Sequence, residues 1–213
     1  MMGASSPCTL QASTHVNPPK QRSRRPPGTP LPGQRPLQGL DQHRLSRQFE
    51  VALSAGDGLG GAHCVHEWWM RGAFPQAVEA ALERLWEHAA DTVPEWMPMR
   101  YVDWLPTAYE VASRFAPAGR GRTHLYLVLL DYSDSRPDPY GVYVGISRYR
   151  PAERFDQHKA GLRAAGSVMK RGLEVLTGPV LHLQSLPRAE AERIEEQLAE
   201  ALRDAGLFVK GGH

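Results

Sequence analysis

Apolar residues recur at two different periods along this chain, and the change of period divides it. Between residues 75 and 94, Val78, Ala81, Leu82, Leu85, Trp86 and Ala89 return at intervals of three and four while Glu79, Glu83, Arg84 and Glu87 take the other side. That period predicts an amphipathic helix, with Pro75 at its start and Pro94 beyond its end. A second helix is predicted over Thr107 to Phe115, with Ala108, Val111, Ala112 and Phe115 turned inward. Together with Trp68, Trp69, Trp96 and Trp104, these helices suggest a helical accessory segment over residues 47 to 120.

Past the link APAGRGR the texture becomes β-favouring. HLYLVLLDY and VYVGIS flank the turn-forming stretch DSRPDPYG, which predicts a hairpin with a long loop. A helix is expected from Pro151 to Gly161, a helical turn near Ser167 to Arg171, a third strand around Val180 to Leu186, and a long closing helix from Pro187 to Ala205. Residues 121 to 213 therefore read as a β-β-α-β-α unit, an α+β domain.

Residues 1 to 46 are rich in Pro, Gly, Gln, Ser and Arg with almost no apolar periodicity, and are expected to be disordered. Charge follows the same three-part division. Residues 1 to 46 hold six Lys/Arg against one Asp, residues 47 to 120 hold six against ten acids, and residues 121 to 213 hold thirteen against twelve. A basic arm can hold nucleic acid through phosphates, and a solvated flexible tail has the same composition. No run is long and apolar enough to span a bilayer and no secretory pattern opens the sequence, so the expected setting is cytoplasmic, without membrane association. Cys8 and Cys64 are too far apart in the order of the chain to suggest a disulfide.

Several local patterns carry less than they first suggest. Gly56-Asp57-Gly58-Leu59-Gly60-Gly61 meets a dinucleotide-binding spacing but lacks the strand-helix-strand setting, and is expected to be a flexible loop. His63, Cys64 and His66 include zinc-ligand types, yet no second half-site accompanies them, so ordinary packing is the expectation. The tryptophans are expected in the core or in a packing surface.

One constellation is chemically denser. Strand alternation sets Tyr143 opposite Val142 and Val144, and Gly145 then leaves room for close approach to the backbone. On the helix that follows, Arg154 and His158 lie one turn apart on one face, with Lys159 next to them and Phe155 inward. A guanidinium with an imidazole behind a tyrosine suits a phosphate and its proton traffic. In the closing helix, Glu195 borders the apolar stripe of Ala191, Ile194, Leu198, Ala201 and Leu202, whereas Glu192, Glu196 and Glu200 point to solvent. A carboxylate there is a candidate ligand for a hard divalent cation.

These residues resemble the GIY-YIG nuclease superfamily, in particular its small bacterial members. Tyr126 in HLYLVLL corresponds to the first tyrosine, Tyr143-Val144-Gly145 to the second triplet, Arg154 to the helical arginine, and Glu195 in EEQLA to the later glutamate; His158 has a counterpart in some members. His124 stands where a glycine is usual, and the loop from Asp131 to Tyr140 is long. The resemblance covers about residues 123 to 213. It implies a three-stranded, mainly antiparallel sheet flanked by helices. It also implies an endonuclease that hydrolyses phosphodiester bonds with one Mg²⁺ or Mn²⁺ ion held by Glu195. Arg154 would hold the scissile phosphate and Tyr126 or Tyr143, assisted by His158, would take the proton from water. Nucleic acid, expected to be DNA, would lie near Gly145, Lys159, Lys170 and Arg171. The alternative is a fold of the same kind that binds nucleic acid or protein without cutting, with residues 47 to 120 available to a protein partner.

Overall fold

The computed structural model describes residues 34 to 212. Helices α1 (Gln42–Ala55), α2 (Gly58–Met70), α3 (Pro75–Ala89) and α4 (Leu105–Ser113) precede the hairpin of β1 (His124–Asp131) and β2 (Tyr140–Ser147). Then come α5 (Pro151–Lys159), α6 (Gly166–Arg171), β3 (Gly172–Val175), a 3₁₀ segment (Gly178–Leu183), α7 (Arg188–Asp204) and β4 (Val209–Gly211). The result is a mixed α/β protein with a four-stranded sheet in the order β3-β1-β2-β4. Strand β1 pairs antiparallel with β2 and β3, while β4 runs parallel to β2.

The expected third strand is corrected. Residues Gly178–Leu183 form a 3₁₀ segment, and the third strand is Gly172–Val175. Pro179 has no N–H to give a ladder, and the fully buried Val180, Leu183 and Leu186 recur every third residue, which is the 3₁₀ repeat. The fourth strand, only three residues long, makes the expected three-stranded sheet one strand short.

Two further expectations change in the helical layer. The glycine-dense stretch is a helix junction rather than a flexible loop: Gly56 ends α1 at φ 65°, and the Asp57 carboxylate caps α2 by accepting the Gly60 N–H at 2.9 Å. The disordered tail was expected to reach residue 46, but α1 begins at Gln42, capped by Asp41 and burying Leu45 and Phe49. Before it, Arg35 donates to the buried Glu67 at 2.6 and 3.0 Å, and Arg71 donates to Glu67 and to the carbonyls of Leu37, Gln38 and Leu40. Ion pairs and carbonyl contacts, together with Leu37 and Leu40 packed against the core, hold this stretch down. The expectation for residues 1 to 33 lies outside the described residues.

Strand β1 is buried along six successive residues because both of its faces are covered. Leu125, Leu127 and Leu129, with Val142 and Val144 of β2, join the residues of α1 to α4 and α7 in one continuous core. Each fully buried leucine contributes about 1.5–3 kcal/mol by leaving water. Tyr126, Val128 and Leu130 point the other way and pack with Val168, Phe155 and Tyr143. The helical segment and one sheet face thus share a core, and the opposite face is left to α5, α6 and the tyrosines. No helix among the described residues is long and apolar enough to cross a membrane.

Candidate active site

The site is built on the second sheet face by the β1–β2 register, which sets Tyr126 across from Gly145. A Cβ on Gly145 would fall 2.6 Å from Tyr143 Cε1 and 2.7 Å from Tyr126 Oη, so the missing side chain is the space in which the two phenols meet. Their ring centroids lie 6.0 Å apart. Tyr126 is buried, whereas Tyr143 is half-buried and reaches solvent.

Helix α5 brings His158 beneath them. Its Nε2 lies 2.9 Å from Tyr126 Oη, and its Nδ1 accepts the Ala165 backbone N–H at 2.9 Å. A backbone N–H can only donate, so Nδ1 must be bare and the neutral ring carries its proton on Nε2. The imidazole therefore donates to Tyr126. Burial, reinforced by the Arg154 charge, pushes His158 down to about 4, which agrees with a ring that has no room for a second proton. Burial raises both phenols. Arg154 opposes that rise at each of them, and the Tyr126 hydroxyl opposes it at Tyr143.

Arg154 is fixed by the chain that follows its own helix. Its Nη1 donates to Gln157 Oε1 at 3.1 Å and to the Leu162 carbonyl at 3.2 Å, and its Nη2 donates to the Arg163 carbonyl at 2.7 Å. That turn passes through Gly161 at φ 77° and Arg163 at φ 47°. A non-glycine residue in the left-handed region costs on the order of 1 kcal/mol and persists where neighbours hold it. Here the one turn supplies carbonyls to Arg154 and the Ala165 N–H to His158. Sequence reasoning missed this backbone contribution; Gly161 after the helix was its only visible trace.

Glu195 projects from α7 at the margin of the core and is half-buried, within electrostatic reach of Tyr143. Burial pushes its carboxyl up to about 7, with Arg188 opposing and Glu192 reinforcing the shift. It forms no hydrogen bond or ion pair with another described residue. A buried-edge carboxylate of this kind is short of a cation, and an oxygen donor beside solvent suits a hard divalent ion.

The other expected contacts sit elsewhere. Lys159 Nζ donates to the carbonyls of Gly172 at 3.1 Å and Met169 at 3.4 Å, closing the end of α6. Arg171 is paired with Asp134 at 2.7 Å, donates to the Asp131 carbonyl and lies 4.4 Å above the Tyr132 ring. With the exposed Lys170 these residues line an open cavity of about 470 Å³ at the Asp131 end of β1, away from Tyr126. The structure therefore brings Tyr126, Tyr143, Gly145, Arg154 and His158 together, sets Glu195 at their edge, and leaves Lys159, Lys170 and Arg171 apart.

The helical layer gives no competing centre. Cys64 is buried and its thiol is pushed up to about 12, and His66 packs against the rings of Trp96 and Tyr109. No group of three or more potential metal ligands occurs among the described residues. No family model, curated protein or solved structure matches the chain. The chemistry of the site rests on its own geometry.

Proposed function

We propose that the protein is a metal-assisted phosphodiester hydrolase acting on nucleic acid, an endonuclease of the GIY-YIG kind. The observation that carries this reading is the oriented chain of donors from Ala165 through His158 to Tyr126, with the Tyr143 phenol beside it. The Ala165 N–H points to His158, the His158 Nε2–H points to Tyr126, and the Tyr126 ring lies 6.0 Å from that of Tyr143, where its hydroxyl opposes the rise of the second phenol. Burial and the charge of Glu195 oppose a phenolate on Tyr143, and the Tyr126 hydroxyl and the positive charge of Arg154 favour it. Tyr143 is also the more exposed phenol, so it is the one that meets a water nucleophile. Tyr143 is accordingly the general base, Tyr126 and His158 are positioning residues, and Arg154 holds the scissile phosphate.

Glu195 would hold the divalent ion. When bound, that ion supplies charge stabilisation at the leaving oxygen. The carboxylate must be ionised to bind it, so a group pushed up to about 7 ties metal affinity to pH near neutrality.

A second reading, nucleic-acid binding without cleavage, is favoured by one observation. Both Nη atoms of Arg154 already donate to loop atoms, so a phosphate must displace or share these bonds. Metal dependence separates the two. Incubation with single-stranded, duplex, flapped and branched DNA and with RNA, in Mg²⁺, Mn²⁺ or EDTA, should give cutting only with metal. Glu195→Gln and Arg154→Ala should each lose about 100-fold or more in rate. Binding with no cutting under any of these conditions would select the second reading.

A further inference from the structure

Two separate basic segments meet at the His124 end of the hairpin. His124 pairs with Ser147, so Arg120-Gly121-Arg122 enters β1 where Arg148-Tyr149-Arg150 leaves β2. All four guanidiniums are exposed, and none forms an ion pair or side-chain hydrogen bond with another described residue. Arg171, Arg188 and Arg114, by contrast, are each matched to a carboxylate within 2.8 Å. The carboxylate of Glu190 is turned to the Ala118 N–H at 2.7 Å. The four arginines at this end therefore have no ion-pair partner among the described residues, and they flank the two strands that carry Tyr126 and Tyr143.

Between the second pair of arginines stands Tyr149, 51% exposed. A large ring left in water next to two cations does not serve the core. The loop that presents it is bonded at both ends: the Tyr149 N–H donates to Ser147 Oγ at 3.0 Å, and the Arg150 carbonyl accepts the Arg154 N–H at 2.9 Å. The second bond ties the loop to the first turn of the helix that carries Arg154 and His158.

We propose that this end of the sheet seats a single-stranded segment of nucleic acid, with one unpaired base stacked on Tyr149 and the flanking phosphates held by Arg148, Arg150, Arg120 and Arg122. An aromatic face stacks on any base whose own face is free, which a closed duplex does not offer along its length. Arginines on either side of the ring are placed to grip the phosphates before and after that base. The inference rests on the nuclease reading only in taking nucleic acid as the polymer. It adds that the strand entering the site is unpaired.

The test is fluorescence anisotropy in EDTA with a labelled oligothymidylate of about a dozen nucleotides, beside a blunt duplex of the same length. Wild type should bind the single strand more tightly. Tyr149→Ala should weaken that binding by about tenfold and Tyr149→Phe should leave it unchanged, because the ring face and not the hydroxyl makes the contact. Replacing Arg148 and Arg150 by alanine should lower the slope of log K against log salt by about 1.4, two phosphate contacts of a single strand. Equal binding by wild type and Tyr149→Ala, or tighter binding of the duplex, would overturn the proposal. Metal-dependent cutting without Tyr149-dependent binding would sink this inference alone, and Tyr149-dependent binding without cutting would sink the catalytic reading alone.

Discussion

His66 in the helical layer and His158 beneath the sheet are both buried, and both are pushed down to about 4. Their surroundings differ. His66 lies with ring centroids 5.0 Å from Tyr109 and 5.7 Å from Trp96, and its Nε2 has no hydrogen-bond partner among the described residues. His158 uses both ring nitrogens, one taking a backbone proton and the other giving a proton to Tyr126. A depressed pKa alone does not distinguish a packed ring from a working one. The direction of each hydrogen bond does, because it says where a proton can go. The same contrast separates the two sheet faces, one closed by aliphatic side chains and the other carrying phenols, imidazole and guanidinium.

The strongest way to break this comparison is to remove each ring. His158→Ala strands the Tyr126 hydroxyl and the Ala165 N–H and leaves a void, so a loss of about 2–4 kcal/mol is expected in urea unfolding. His66→Phe exchanges an unpaired polar ring for an apolar one and should stay within about 1 kcal/mol of wild type. Equal losses would mean that the bonds around His158 add nothing to its burial.

Next in size is Gly145→Ala. The added methyl would press on both phenols at under 3 Å, so they must part. Stability should fall by about 1–3 kcal/mol, as for other overpacked sites, and cleavage should fall with it. A variant that folds and cuts like wild type would show that the close approach of Tyr126 and Tyr143 is incidental.

The pH dependence is smaller and has two signs. Each histidine sits below its ordinary 6.5 in the folded chain, so between about 6.5 and about 4 the unfolded chain binds more protons and stability falls as pH falls. His66→Phe removes one such group, and its urea midpoint should drop less than that of wild type on acidification through this window. Glu195 behaves oppositely. Raised from 4.5 to about 7, its carboxyl holds a proton that the unfolded chain releases, so stability is lost as pH rises through that interval. Glu195→Gln should flatten that fall, and parallel curves for variant and wild type would contradict a buried-edge carboxyl.

The long, strongly periodic elements were legible in the sequence: α3, the β1–β2 hairpin, α5 and α7 all fall where spacing and prolines place them. What escaped was short or held by something other than an apolar stripe. Strands β3 and β4 have four and three residues, too few for an alternation to register. The stretch before α1 is fixed by Arg35 bonding to Glu67 and by Arg71 bonding to the carbonyls of Leu37, Gln38 and Leu40, contacts across more than thirty residues that leave no local pattern. Within the site, residue types and spacing pointed to Tyr143, Arg154, His158 and Glu195, and the resemblance added Tyr126. The orientation of their hydrogen bonds depends on the Ala165 N–H and the turn at Arg163, backbone features that residue identity does not encode.

The most direct test is the rate of oligonucleotide cleavage in Mn²⁺ against pH for wild type, Tyr143→Phe and Tyr126→Phe. Tyr143→Phe removes the proposed base and should cost about 100-fold or more. Tyr126→Phe removes the hydroxyl that opposes the rise of Tyr143 and accepts the His158 N–H but leaves the Tyr143 phenol in place, so it should lose less and carry its rise in rate to higher pH. Cleavage by Tyr143→Phe at the wild-type rate, with the same pH profile, would contradict the assignment of the base and the oriented chain behind it.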